Sequence, residues 1–118
     1  MRFPDYFPEG CPPSEAISKE VEVFRMCKSN VIEHSDFLSF YELGKNINGN
    51  VNGYGISVIC DSGQAHTLSQ MPAHRQEYLA KGSTKSDCGV ILETPSRNIS
   101  SHITWWLYEG ATPEKYFK

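Results

Sequence analysis

Ser101-His102-Ile103-Thr104-Trp105-Trp106-Leu107-Tyr108 holds both tryptophans of the chain and one of its four histidines. Side chains of a strand point alternately to its two faces. Ile103, Trp105 and Leu107 therefore share one face, and His102, Thr104, Trp106 and Tyr108 the other. The first row is apolar and reads as core-facing. The second offers an imidazole, a hydroxyl, an indole and a phenol in line, a set able to stack on a ring and hydrogen-bond to it. The competing reading is a half-buried sheet face whose polar tips reach backbone or water.

Upstream, Val21, Val23, Arg25 and Cys27 alternate with Glu20, Glu22, Phe24 and Met26, which predicts a strand with an arginine on its more apolar face. Gly55-Ile56-Ser57-Val58-Ile59-Cys60 reads as a strand buried on both faces. Residues 78–81 form a short strand candidate and Cys88-Gly89-Val90-Ile91-Leu92-Glu93 a better one. Ser35 as N-cap, Asp36 against the helix dipole and Gly44 as stop predict one short helix, with Phe37, Phe40, Tyr41 and Leu43 as its apolar stripe. Asp61 or Ser62 caps a second, with Ala65, Leu68 and Met71 at helical spacing and Pro72 at its end. The asparagine- and glycine-rich residues 46–55 read as a mobile loop. Pro4, Pro8, Pro12 and Pro13, set among Phe3, Tyr6 and Phe7, make residues 1–14 an extended arm laid across the domain. Residues 110–118 form a short tail with Tyr116-Phe117 as a docking pair. This order predicts an α+β fold: a single compact domain over residues 1–118 with a mixed or antiparallel sheet of about four or five strands, two short helices and the proline-rich arm.

With 118 residues, 39% hydrophobic and 12% aromatic, the chain can bury a core without a metal or disulfide. The formal net charge is −3 and no basic block occurs, which argues against duplex nucleic acid as partner. No apolar run reaches spanning length and nothing near Met1 resembles a secretory segment, so no membrane association is expected and the expected setting is cytoplasmic. Cys11, Cys27, Cys60 and Cys88 form no close pair of the zinc type. Cys27, Cys60 and Cys88 lie in or beside apolar runs and read as reduced, buried thiols. His66, Gln70 and His74 are at helical spacing, but Pro72 interrupts them, so no metal site is expected. No glycine-rich phosphate loop is present.

Arg25 is the second candidate site residue after the His102, Thr104, Trp106 and Tyr108 row. A guanidinium on an apolar strand face needs an anion or a set of acceptors, whether from a ligand or from the fold itself. Arg25, Ser57 and Glu93 also follow one another on three strand candidates. That order resembles the arginine–serine–glutamate arrangement of one branch of the ADP-ribosyltransferases. The resemblance implies NAD as cofactor, with Arg25 on its phosphates, Ser57 at the nicotinamide ribose and Glu93 at the transition state. The chain departs from that pattern in having Ile56-Ser57-Val58 in place of a Ser-Thr-Ser run, and no second acidic or amide residue paired with Glu93.

Over most of its length the chain is similar to a group of small bacterial proteins carried as hypothetical. The shared stretches are Tyr6-Phe7-Pro8-Glu9-Gly10-Cys11-Pro12-Pro13, Val23-Phe24-Arg25-Met26, Gly55-Ile56-Ser57-Val58 and Ser101-His102-Ile103-Thr104-Trp105-Trp106. The group brings no activity and implies a bacterial or phage setting. Two functional readings follow. One is a small non-enzymatic binding or interaction protein that recognises a protein partner or a nucleotide-like ligand around the Trp105-Trp106 strand, with no cofactor. The other is a nucleotide-handling enzyme that uses Arg25, Ser57, Glu93 and His102.

Overall fold

The computed structural model describes residues 1–118. Five strands form one sheet: β1 (Glu22–Cys27), β2 (Ile56–Ile59), β3 (Tyr78–Ser83), β4 (Gly89–Glu93) and β5 (His102–Leu107). Their order is β3-β1-β2-β5-β4, and every neighbouring pair is antiparallel. One α-helix, α1 (Ser62–Ser69), is joined by 3-10 turns at His34–Phe37, Val51–Tyr54, Pro72–His74 and Pro113–Tyr116. The fold is therefore α+β with a purely antiparallel sheet. No helix is long and apolar enough to cross a membrane.

Alternation assigns the two faces. Trp105 lies between Ile56 and Ile91 on the neighbouring strands, and Ile103 lies opposite Val58. These residues, with Val23, Cys27, Ala80, Phe37 and Phe117, form the hydrophobic core on one face. A large aromatic takes about 150–250 Å² out of water when buried. Trp105 and Trp106, both 0% exposed, are thus the heaviest apolar anchors of the fold. The ladders are unequal. β1 and β3 are in register from Glu22–Ser83 to Cys27–Tyr78, whereas β1 and β2 pair only through Phe24 and Ile59.

The N-terminal segment and the tail lie along the outer strands. Ile17 and Ile91 exchange backbone hydrogen bonds of 2.9 and 2.8 Å on β4, as do Lys118 and Lys81 at 3.0 and 2.9 Å on β3. Phe117 turns inward, with its ring centroid 5.0 Å from Phe37 and 6.1 Å from Trp105. Gly82 sits beneath that ring, where any Cβ would collide with it. Residues of the arm stack on the domain, with Phe3 4.8 Å from Tyr108 and Phe7 5.7 Å from Tyr54 between ring centroids.

The first expected helix is not formed. Asp36, expected to complement a helix dipole, instead accepts from the backbone N–H groups of Lys28 and Glu33 at 2.9 Å each. A second start signal follows at once: Ser39 Oγ accepts from Glu42 N–H at 3.1 Å while Glu42 Oε1 accepts from Ser39 N–H at 3.0 Å. Gly44, at φ 75°, then ends the turn. A start at Ser39 and a stop at Gly44 leave room for a single turn. The second helix forms, capped by Asp61 Oδ2 on Gln64 N–H at 2.8 Å. It ends before Met71, which is exposed. β2 is buried except at Ser57, so only one of its residues opens to solvent.

Replacing Phe117 with alanine empties a site shared by the core and the tail. The expected loss is about 3 kcal/mol, read as a lower urea midpoint. The Lys81 and Lys118 amides should exchange faster in the same variant.

Candidate functional site

Across the sheet from the core, α1 and residues 38–53 cover the two sides of the second face and leave a cleft of about 760 Å³ between them. Small-molecule sites commonly span about 300–1,000 Å³. Phe24, Ile59 and Leu68 supply apolar lining, while Arg25, Ser57 and His102 supply polar groups. Helix α1 is fixed beside it because Gln64 Oε1 accepts from Ser101 N–H at 3.0 Å, at the start of β5.

Arg25 sits where β1 and β2 part company. Past the Phe24–Ile59 pair, the Ser57 carbonyl takes its hydrogen bond from Arg25 Nη1 at 2.7 Å. Arg25 Nε donates to the Asp36 carbonyl at 2.7 Å, and the guanidinium lies 5.7 Å from the Phe37 ring centroid. Both acceptors are neutral carbonyls and Arg25 forms no ion pair. Burial accordingly lowers its pKa, opposed by the carboxylates of Asp36 and Glu77. Asp36 holds the turn that presents its own carbonyl to Arg25. Burial works against its charge, but the N–H groups of Lys28 and Glu33 and the Lys28 ammonium outweigh that, so its pKa falls below the usual value.

His102 is oriented by Thr94. Its Nδ1 lies 3.0 Å from the Thr94 carbonyl and 2.9 Å from Thr94 Oγ1. A carbonyl only accepts, so Nδ1 carries the proton and Nε2 keeps its lone pair when the ring is neutral. Thr94 Oγ1 continues to Thr104 Oγ1 at 2.7 Å. The result is a short polar relay in the wall of the cleft. His74 and Glu77, hydrogen-bonded to each other, line another part of it.

The expected site residues divide. Arg25, Ser57, His102 and Thr104 line this one cleft. Trp106 does not offer a surface: it is fully buried, and its Nε1 donates to the Val51 carbonyl at 3.0 Å. The loop expected to be mobile covers it, held by asparagine turns in which Asn46 and Asn50 accept from the N–H two residues on. Tyr108 lies beyond the end of β5, and its ring goes to Phe3 of the arm instead of extending the row. Glu93 is exposed and shares its face with Ile103, opposite the face of the Ser57 side chain. It stands outside the cleft, so the Arg–Ser–Glu set does not converge.

Sequence reading missed Thr94, His74, Glu77 and Lys45 as lining residues. Thr94 is one residue past β4, and its partnership with His102 follows only from the β4–β5 register. Two of the thiols are buried and held neutral. Burial pushes Cys27 up to about 11 and Cys88 up to about 12, so both are neutral at pH 7. Cys60, expected to be buried, is exposed at the end of β2. The fold and cleft define an antiparallel α+β protein with a single-face ligand-sized site. No family model, curated protein or solved structure matches the chain.

Asp36 is ionised in the folded protein to a lower pH than in the unfolded chain. Its stabilisation is present above the unfolded value, about 3.9, and is lost as pH falls through the folded one. Asp36→Asn cannot accept both backbone N–H groups and should cost about 1–3 kcal/mol at pH 7. Urea melts from pH 7 down to pH 3 should show the wild type losing its advantage over the variant as the solution is acidified.

Proposed function

We propose that this is a small non-enzymatic binding protein whose site is the open-face cleft, and that its ligand is nucleotide-like: a flat, partly apolar body joined to an anionic group. The observation that carries this reading is the state of Arg25. A guanidinium has five N–H donors. Two are spent on carbonyls, and no carboxylate pairs with the half-buried charge. A half-buried guanidinium with donors to spare suits a bound anion. Lys45, whose Nζ lies 4.8 Å from the Phe40 ring centroid, adds a second positive charge to the lining. Phe24 and Ile59 offer an apolar seat for a ring, and His102 offers an imidazole nitrogen beside it. With Glu93 outside this cleft and its one lining carboxylate, Glu77, hydrogen-bonded to His74, its residues support capture of a nucleotide-like ligand over ADP-ribosyl transfer.

A thermal-shift comparison of AMP, phenyl phosphate and inorganic phosphate tests this. At about one hundred times its dissociation constant a ligand adds about 2.7 kcal/mol, a rise of several degrees for a domain of this size. AMP or phenyl phosphate should produce that rise, phosphate alone a smaller one. Arg25→Gln should abolish it, and Lys45→Gln, at an exposed position, should weaken binding without loss of fold. No shift from any of the three probes, or shifts unchanged in both variants, would overturn the reading.

A further inference from the structure

The polar groups of the open-face cleft differ in kind from one part of its floor to another, and that difference selects a ligand more narrowly than size and charge do. Resting on the nucleotide-like reading above, we propose that the flat body is an amino-substituted base of the adenine or cytosine kind, and that His102 Nε2 accepts a hydrogen bond from its exocyclic amino group.

The acceptor is fixed before a ligand arrives. The Thr94 carbonyl, 3.0 Å from His102 Nδ1, can only accept, so the ring proton of the neutral imidazole stays on Nδ1. Thr94 Oγ1 lies 2.9 Å from the same nitrogen, and a flipped ring would turn a C–H toward both oxygens. Thr94 is itself anchored: its N–H donates to the His102 carbonyl at 3.0 Å, and its hydroxyl lies 2.7 Å from Thr104 Oγ1. Nε2 is left with a lone pair and no partner in the fold. The one side-chain nitrogen or oxygen sealed from solvent without a partner belongs to Trp105, so Nε2 reaches the surface, and His102 lines the cleft. A lone pair placed there calls for an N–H or O–H from whatever fills the site.

Register decides which part of the ligand meets it. Phe24 is paired with Ile59 and Ile59 with His102, so the apolar seat and the imidazole stand in one row across three neighbouring strands. Strands lie about 4.8 Å apart, and a ring over Phe24 and Ile59 therefore brings its edge to His102. Arg25 belongs to the next row. Its Nη1 holds the carbonyl of Ser57, two residues from Ile59, or about 7 Å of strand. An anion at Arg25 is thus displaced from the ring along β2, while the ring edge at His102 is displaced across it. A sugar joining ring to phosphate spans the first direction and leaves the edge of the base free for the second. Arg25 and Lys45 only donate, whereas His102 Nε2 only accepts. Thr104 is no rival, being 2% exposed with its hydroxyl turned to Thr94, and Glu77 is hydrogen-bonded to His74. A base edge with an amino group matches this arrangement. A ring with hydrogen at that position leaves the lone pair unpaired, and one with a carbonyl opposes it.

Calorimetric titration at pH 8, where imidazoles are neutral, tests the proposal with three ligands. They are AMP, purine riboside 5′-monophosphate, which has hydrogen in place of the amino group, and 2′,3′-dideoxy-AMP. AMP and its dideoxy form should bind alike, and the ligand without the amino group about fivefold more weakly. His102→Asn puts an amide N–H where Nδ1–H was, so the Thr94 contact should survive, and it removes Nε2. AMP should then bind no better than purine riboside 5′-monophosphate. Imidazole nitrogen NMR of the wild type reads the same contact without a substitution. Nδ1 should be protonated in the free protein, and the Nε2 resonance should move with AMP but not with purine riboside 5′-monophosphate. Equal affinity for AMP and the amino-free ligand overturns the proposal while leaving the reading of an anion joined to a ring intact. So does a preference that is lost with the ribose hydroxyls, or a free-protein tautomer with its proton on Nε2. Absence of binding by all three ligands overturns that reading and the proposal together.

Discussion

The sheet is two ladders joined at a seam, and the seam depends on Arg25. On one side β1 and β3 pair along their full length; on the other, β2, β5 and β4 do the same or nearly so. Between them the backbone supplies only the Phe24–Ile59 pair. The guanidinium bridges the gap with one hydrogen bond to Ser57 on β2 and another to Asp36 in the turn after β1. Bonds from a charged donor contribute roughly 1.5–3 kcal/mol each, against about 0.5–1.5 for a neutral backbone bond. A neutral side chain of similar length could not replace both.

The same parting of strands makes the cleft. Where β1 and β2 stop pairing, a charge assigned by alternation to the core face becomes part of the lining on the other. Residues 34–53 wrap around that end of the sheet, sending Phe37 into the core and Lys45 to the opposite side. Arg25 therefore both ties the sheet together and lines the cleft. Arg25 satisfies two carbonyls permanently and has donors left over. His102 shows a similar division, with Nδ1 committed to Thr94 and Nε2 uncommitted.

Much of this architecture was legible in the residues because alternation is local. The five strands, the facing of Trp105 with Ile103 and Leu107, and the Asp61 cap all follow from neighbours along the chain. What could not be read depends on contacts distant in sequence. Trp106 looks like a surface residue until the Val51 carbonyl, fifty-five positions earlier, is placed on its indole. Asparagine and glycine in residues 46–55 suggest mobility, yet the same side chains lock turns by accepting from nearby N–H groups. The missing first helix was legible in principle: Ser39-Phe40-Tyr41-Glu42 is a capping box, and it lies too close to Gly44 for a helix to grow. Glu93 was placed in sequence order with Arg25 and Ser57, but order along a chain says nothing about facing. One residue of register decides it.

The bridges from Ile17 and Lys118 bear on how the protein can meet another chain. Extended peptides are often recognised by strand addition, in which a free edge lends its N–H and C=O groups to the newcomer. Here Ile91 on β4 and Lys81 on β3 have already given theirs to the protein's own outer segments. Beta-augmentation at those positions would first require the segments to peel away, carrying the buried Phe117 with them on the β3 side. The two faces of the sheet are left as its open surfaces, and lateral stacking of copies into fibrils meets a built-in obstacle.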